Sequence, residues 1–272
     1  VDEKQKIIRV ALAVVFVLVV VGSAYYFFIA GRSESREAGQ APLRSDAAAR
    51  EEALGKEGPA VPALTVPLDS SDEAVRGLAS ELSSNALFGQ WLRSKDLLRR
   101  FAAAADNIAN GQSPRPQLEF FSLPGEFKVV SRAGRLFLDP SAYERYNAIT
   151  DVFDSLSTSG CARAYASVKP LLQQAYRELG YPNEDFDRTL LRAIIEILRA
   201  PVVDDPIPVE KGVTTYLMVD PLLEELSPAQ KHLLRMGPEN LQLIQAKLRE
   251  IALALGFGEA QQPRPRLHTP QK

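Results

Sequence analysis

The chain has 272 residues, of which 24% are charged, and its formal net charge at neutral pH is −2. Nucleic-acid-binding domains normally carry a basic surface, so this balance argues against nucleic acid as a partner. Cys161 is the only cysteine, so no disulfide can form within the chain, and we expect Cys161 to act as a buried small hydrophobic residue.

An uncharged stretch of 22 residues, Val10–Gly31, stands out near the start of the chain. As a helix rising about 1.5 Å per residue, it is long enough to cross the roughly 30 Å hydrocarbon core of a bilayer. Tyr25 and Tyr26 lie near its end, where aromatic rings favour the level of the lipid headgroups. The sequence therefore predicts a transmembrane helix over residues 10–31.

The basic residues around this stretch indicate its orientation. Three precede it and two follow it closely: Lys4, Lys6 and Arg9, then Arg32 and Arg36. Because flanks with more basic residues tend to stay in the cytoplasm, we expect residues 1–9 to be a cytoplasmic tail and the C-terminal domain to lie on the opposite side.

A cleaved signal peptide is the alternative interpretation of the same stretch. Gly22-Ser23-Ala24 offers small residues at plausible cleavage positions. The apolar run continues beyond that site, however, and it is longer than the apolar region of an ordinary signal peptide. These two features favour an anchor that is not cleaved.

Residues 32–67 have the composition of a flexible linker. They are rich in Ala, Glu, Arg, Pro and Gly, and they contain no aromatic residue. Such a segment cannot bury enough apolar surface to offset the entropy lost on ordering. As a coil it would span roughly 30–35 Å, which would let the following domain reach partners well away from the membrane.

Residues 68–256 are predicted to form one compact, mainly helical (α+β) domain. Apolar residues recur at helical spacing, and capping residues or glycines mark the helix ends. The most apolar helix, Asp185–Ala200, is predicted to be central, and Pro170 is expected to kink or restart the helix that contains it. Further helices are predicted from Ser70, over Lys95–Asn110, from Pro140, from Ser159-Gly160 to Gly180, from Ser227, and from Pro238 to Leu255.

A small β-hairpin or sheet element is predicted within this helical domain. Phe127–Ser131 and Arg135–Asp139 have strand character, and the glycine-containing loop between them favours a hairpin. Val213–Val219 is rich in β-branched residues and is expected to pair with that hairpin. Residues 257–272 are predicted to be a disordered tail.

The last predicted helix repeats Leu241, Ile244, Leu248, Ile251 and Leu255 at alternating steps of three and four residues. This seam is too short for a stand-alone coiled coil. Packing against its own domain is therefore favoured over a dimer seam, which stays open as the alternative.

Three blocks of the sequence are distinctive: Leu226–Ile251; Leu98–Phe101 with Asp106-Asn107 and Gly111; and Gln174–Gly180. They resemble blocks of an uncharacterised bacterial family that is catalogued only as a domain of unknown function. The resemblance covers about residues 68–255. It implies a single-pass protein of the Gram-negative inner membrane with a periplasmic domain, and it brings no activity, cofactor or catalytic residue.

Chemical motifs are scarce in the domain. His232 is its only histidine, and His268 lies in the tail, so a zinc site, which needs several such ligands, is not expected. The chain also has no phosphate-cradling glycine loop and no nucleophile elbow. We therefore predict neither a metal nor a cofactor. His232 is predicted to be a surface or half-buried residue.

Three acidic clusters leave an enzyme open as an alternative: Glu184, Asp185 and Asp187; Asp204 and Asp205; and Asp220, Glu224 and Glu225. Two facing carboxylates can hydrolyse a glycan by general acid–base catalysis. Each cluster also fits a helix start or a loop, where acids are common. The structural interpretation is favoured.

Polar residues inside the three distinctive blocks are the candidate binding residues. One interpretation is that they form a docking face for a protein or an anionic envelope polymer. The other, which is favoured, is that they solvate helices and pair locally with acids. These residues are Arg99, Arg100, Asp106, Asn107, Lys231, Arg235, Asn240 and Lys247.

The sequence thus predicts a membrane-anchored periplasmic protein that is a non-enzymatic interaction or scaffolding module of the cell envelope. Its expected partners are the lipid bilayer, through the anchor, and an envelope protein or cell-wall polymer, with no nucleic acid and no metal. A periplasmic hydrolase that acts on peptidoglycan through a carboxylate pair is the alternative.

Overall fold

Nine α-helices make up most of the regular structure in the residues that the computed structural model describes, which are 61–117, 128–213 and 215–268. In chain order they are α1 (Asp72–Ser80), α2 (Ala86–Trp91), α3 (Leu97–Ala109), α4 (Asn147–Asp154), α5 (Thr158–Glu178), α6 (Phe186–Leu198), α7 (Pro221–Glu224), α8 (Pro228–Leu234) and α9 (Pro238–Ala254). Short 3₁₀ turns cover Leu68–Ser70, Arg115–Gln117, Pro140–Ala142, Glu144–Tyr146 and Glu259–Gln261.

The predicted transmembrane helix over residues 10–31 lies outside the described residues, as do residues 32–60 of the predicted linker. Within the described ranges, no helix combines the length and the apolar character that crossing a bilayer would need.

Four short strands form one antiparallel sheet in the order β1-β2-β3-β4. Their bounds are β1 (Val129–Arg132), β2 (Arg135–Leu138), β3 (Pro208–Lys211) and β4 (Tyr216–Met218). The predicted hairpin is β1–β2, and its turn is Ala133-Gly134, with φ values of 49° and 74°. A two-residue turn with two positive φ angles matches the right-handed twist of the flanking strands. The domain is therefore mainly helical with a small antiparallel sheet.

The predicted pairing of Val213–Val219 with the hairpin was wrong, because β3 lies between β4 and the hairpin. Val209 pairs with Leu136 on one side and with Met218 on the other. The sequence hides β3, because this strand is four residues long, begins with Pro208 and ends on the charged pair Glu210-Lys211. Proline is tolerated at the first position of a strand.

The larger hydrophobic core surrounds α6, as predicted. This helix packs against α3, α5, α8 and α9, and its Phe186 and Leu198 side chains are almost completely buried. Tyr176 of α5 is wholly buried beside Phe186, with ring centroids 5.4 Å apart. The stripe of α9 also packs inside the domain, since Leu241 and Ile244 are buried there.

Helix α5 continues through Pro170, so the predicted restart of the helix does not occur. A proline inside a helix removes one backbone hydrogen bond and costs about 3 kcal/mol. The adjacent Leu171 and Leu172 are buried in the larger core. Burying two leucines contributes about 1.5–3 kcal/mol each, which offsets that cost.

Residues 257–268 lie along the domain, which differs from the predicted disordered tail. Val202 donates its N–H to the carbonyl of Arg266 and accepts a hydrogen bond from the N–H of His268, both at 2.8 Å. Arg249 also donates to the carbonyl of Pro263 at 2.7 Å. The Pro-Arg-Pro-Arg composition gives no sign of this extended pairing, because it depends on a partner about 65 residues earlier in the chain.

Candidate binding residues

Arg99, at the start of α3, contacts three carboxylates. Its guanidinium lies 2.7 Å from Glu178, 2.5 Å from Asp69 and 3.4 Å from Asp96. Hydrogen bonds to Glu178 and Asp69 raise the pKa of Arg99. The side chain therefore ties the end of α5 and the 3₁₀ turn Leu68–Ser70 to α3, and its donors are used inside the domain.

Arg100 and Asn107, also on α3, donate hydrogen bonds to the 3₁₀ turn that follows this helix. Arg100 donates to the carbonyls of Lys95 at 3.0 Å and Gln117 at 3.3 Å. Asn107 Nδ2 donates to Oε1 of Gln117 at 2.7 Å. Together these bonds fix the 3₁₀ turn Arg115–Gln117 against α3.

Asp106 belongs to a polar cluster between α3, α5 and α6. Its Oδ2 accepts a hydrogen bond from the Tyr181 hydroxyl at 3.2 Å, and its Oδ1 is buried without a hydrogen-bond partner. Tyr181 stacks on Tyr176 with ring centroids 4.7 Å apart, and Tyr176 shares a hydrogen bond with Thr189 at 2.8 Å. Burial, and then the charge of Asp106, raise the pKa of Tyr181.

Two candidate lysines pair with nearby acids. Lys231 Nζ lies 2.7 Å from Oε1 of Glu224, and this hydrogen bond lowers the pKa of Glu224. Lys247 Nζ lies 3.2 Å from Glu250 and 3.5 Å from the carbonyl of Leu156. Local pairing with acids, which the sequence analysis favoured, is what the structure shows for both.

Asn240 is buried at the start of α9 and joins three segments. Its Nδ2 lies 2.9 Å from the carbonyl of Met236, 3.0 Å from Oδ1 of Asn147 and 3.2 Å from the carbonyl of Tyr143. This amide therefore fixes the chain before α4 against the α8–α9 junction, so its role is internal.

Arg235, directly after α8, lies beside His232, whose carbonyl accepts the N–H of Arg235 at 3.2 Å. The charge of Arg235, with those of Arg115 and Arg145, lowers the pKa of His232, adding to the larger effect of burial. His232 is half-buried, as predicted. Arg235 is thus the one of the eight candidates whose charge acts on His232.

Three of the acidic residues considered for a hydrolase, Asp185, Asp187 and Asp220, have structural roles. Asp185 caps α6 by accepting the N–H of Asp187 at 3.0 Å, and Asp220 caps α7. Asp187 accepts hydrogen bonds from the Tyr165 hydroxyl at 2.5 Å and Lys169 Nζ at 2.6 Å. The helix-start interpretation is confirmed for Asp185 and Asp220.

Cys161, in the first turns of α5, is half-buried, and burial raises the pKa of its thiol. A raised pKa keeps the sulfur protonated near neutral pH, which disfavours thiol chemistry. In the described part of the chain, no three side chains of His, Cys, Asp or Glu are grouped so that they could hold a metal ion.

Comparison with known proteins extends these observations. A family model described as "Protein of unknown function (DUF3014)" matches residues 97–252, from the start of α3 almost to the end of α9. The match covers more than half of the chain and includes all eight candidate residues. No curated protein and no solved structure matches the chain. The chain therefore belongs to the DUF3014 family of proteins of unknown function.

Proposed function

We propose that this chain is a single-pass protein of the bacterial inner membrane, and that its periplasmic domain docks a partner in the cell envelope. The observation that carries the proposal is the uncharged 22-residue stretch Val10–Gly31, followed by a linker-like segment and one folded domain. A long tether is useful when a domain must reach a partner at a distance from the membrane.

The contacts within the domain support docking over hydrolysis. Asp185, Asp187, Asp220 and Glu224 use their carboxylates for helix caps, ion pairs or backbone hydrogen bonds. A hydrolase of the predicted type needs two carboxylates that face each other across a cleft. Docking needs no such pair of carboxylates.

Membrane attachment and orientation are tested with one set of fusions. A reporter that is active only in the periplasm is fused after Lys272, and membranes are washed with alkaline carbonate. The intact chain is expected to stay in the membrane with an active reporter. The double variant Val15→Arg with Val19→Arg should fail to insert, because each arginine at the centre of the span costs about 2.5–3.5 kcal/mol. Release of the chain by carbonate overturns the proposal. So does activity that is found only when the fusion carries a reporter that works in the cytoplasm.

Docking is tested by crosslinking the full-length protein in cells and identifying what is captured. Arg235→Glu is the variant to use, since Arg99→Glu would break the ion pairs with Asp69 and Glu178. The exposed Arg93→Glu is a matched control with the same change in charge. A partner that is lost in Arg235→Glu and kept in Arg93→Glu supports docking. Equal capture of the partner by both variants contradicts docking through Arg235.

A further inference from the structure

The C-terminal segment of the described chain is held on the domain mainly through its backbone. The carbonyl of Pro263 accepts a hydrogen bond from Nη1 of Arg249 at 2.7 Å. The carbonyl of Arg266 accepts the N–H of Val202, and the N–H of His268 donates to the carbonyl of Val202, both at 2.8 Å. The residues between Pro263 and His268 are exposed to solvent. These contacts therefore depend little on the side chains of the segment.

Two charged side chains of the domain contact the two ends of this segment. Arg249, on α9, contacts it at Pro263. Asp220, the N-cap of α7, contacts it at His268, whose Nε2 lies 2.7 Å from Oδ2 of Asp220. We call Arg249, Val202 and Asp220 the tail-contact surface. This surface offers a guanidinium at one end, a backbone N–H and carbonyl between, and a carboxylate at the other end.

The segment leaves one donor of the tail-contact surface unsatisfied. Nη2 of Arg249 is buried and has no hydrogen-bond partner among the described residues, whereas Nη1 donates to the carbonyl of Pro263. Burying a donor without an acceptor is unfavourable. A carboxylate would accept hydrogen bonds from both nitrogens at once, in the bidentate geometry that matches a guanidinium. This end of the surface therefore suits an acidic side chain better than a single backbone carbonyl.

The backbone of Val202 can pair with any extended segment. It forms an isolated parallel bridge with Leu267, outside the four-stranded sheet. The side chains of Val202 and Val203 are buried in a hydrophobic cluster, so the position of this backbone is fixed by the domain. A framework that is fixed before a ligand arrives loses little conformational entropy on binding. Where a peptide pairs with an exposed backbone, main-chain hydrogen bonds give affinity and side-chain contacts give specificity.

We propose that the tail-contact surface binds an extended peptide of a partner protein. This peptide has an acidic residue at the place of Pro263 and a basic residue at the place of His268, next to Asp220. Residues 262–268 are then a built-in competitor that the partner displaces, and their tether gives them a high effective concentration. The inference rests on the docking function proposed above and deepens it, because it names a surface and the chemistry of the partner.

The test measures the binding of two fluorescent peptides to the full-length protein in a neutral detergent. Both peptides have the sequence of residues 259–268, and one carries Pro263→Glu while the other carries Pro263→Gln as its uncharged control. The main receptor is the His268→Ala chain, in which the built-in competitor is weakened, and the original chain is measured beside it. Fluorescence anisotropy at constant ionic strength gives each dissociation constant.

The Pro263→Glu peptide is expected to bind the His268→Ala chain at least about fivefold more tightly than the original chain, because the tethered competitor is weaker. The exposed Arg264→Ala chain is the matched control and should bind like the original chain. The His268→Ala chain should also prefer the Pro263→Glu peptide over the Pro263→Gln peptide by about tenfold, because Arg249 gains a charged acceptor. Adding Arg249→Gln should abolish that preference.

Equal affinities of the two peptides for the His268→Ala chain overturn the proposal, and so does a preference that survives Arg249→Gln. Absence of binding by either peptide overturns it as well. The crosslinking experiment tests the docking function separately. If no peptide binds but crosslinking captures a partner that Arg235→Glu loses, the peptide site is wrong and the docking function stands. If the peptides bind as expected but Arg235→Glu and Arg93→Glu capture equally, the peptide site stands and docking through Arg235 is wrong.

Discussion

The Nε2 atom of His268 lies 2.7 Å from Oδ2 of Asp220, and the two side chains are only 10% and 14% exposed. The other oxygen of Asp220 accepts the N–H of Leu222 at 2.9 Å. One carboxylate thus caps α7 and holds the C-terminal segment at the same time. This dual use explains why residues before His268 lie along the domain although their composition is typical of a free tail.

Changing His268→Ala should release this segment from the domain. We expect faster amide hydrogen exchange over residues 262–268 and a free energy of unfolding that is lower by about 1–3 kcal/mol, because a largely buried hydrogen bond between two side chains is lost. Hydrogen exchange followed by mass spectrometry measures the first effect. The exposed Arg264→Ala is the control, and equal protection in the two variants would contradict the anchoring role.

Gly237, between α8 and α9, should tolerate no side chain. Its φ is +81°, and a Cβ built there would lie 2.5 Å from the ring of Tyr143. Gly237→Ala should therefore lower the free energy of unfolding by about 2–4 kcal/mol, through backbone strain and overpacking together. Urea unfolding followed by the fluorescence of Trp91, the single tryptophan, measures this change.

Gly256→Ala separates the two causes. Gly256 has a similar φ of +87°, but nothing lies within 4 Å of a Cβ built there. Only the backbone cost remains, about 1–2 kcal/mol. Equal losses of stability in the two variants would show that the contact with Tyr143 contributes nothing.

The sequence predicted the long helices and the β1–β2 hairpin, but it missed strand β3 and the position of residues 257–268. The predicted helices 185–200 and 238–255 correspond to α6 (Phe186–Leu198) and α9 (Pro238–Ala254), because their apolar periodicity and capping residues are local signals. Strand β3 and the position of residues 257–268 depend on partners far along the chain. No local pattern carries that information.

The same limit applies to the candidate binding residues. A sequence shows that Arg99 is charged, but not that Glu178, which lies 79 residues later, will contact it. The effect of Arg115 and Arg145 on His232 could not be predicted for the same reason, since both residues lie on short turns outside the distinctive blocks.

Arg99→Gln should have a small effect on stability although Arg99 contacts three carboxylates. The Asp69 and Asp96 side chains are 86% and 60% exposed, so solvent screens most of the attraction. We expect a loss of about 1 kcal/mol or less, reduced further by salt. A double-mutant cycle with Glu178→Gln in urea measures the coupling. A loss several times larger would show that this network is a main source of stability.

Glu224 should contribute to acid unfolding of the domain. Lys231, and more weakly the N–H of Met218, hold the pKa of Glu224 below its usual value of 4.5. Because the folded state has the lower pKa, the stabilisation is complete above pH 4.5 and is lost as the pH falls through the folded value. Glu224→Gln should therefore be less stable than the original chain at neutral pH, and it should lose less stability on acidification. The exposed Glu225→Gln is the control, and an unfolding curve for Glu224→Gln that matches it at every pH contradicts the pairing.

His232 should add a separate pH dependence at higher pH. Burial, and then the charges of Arg235, Arg115 and Arg145, hold its folded pKa below 6.5. The unfolded chain therefore binds the proton first, so stability falls as the pH drops through 6.5 toward the folded value. His232→Gln should remove this decline, which urea unfolding between about pH 8 and pH 5 can measure.

The environment of His232 explains the direction of this effect. Tyr146 meets the imidazole edge-on, and burial, followed by the charges of Arg235, Arg115 and Arg145, disfavours the imidazolium form. Parallel stability curves for His232→Gln and the original chain between about pH 8 and pH 5 would contradict a lowered pKa of His232 in the folded state.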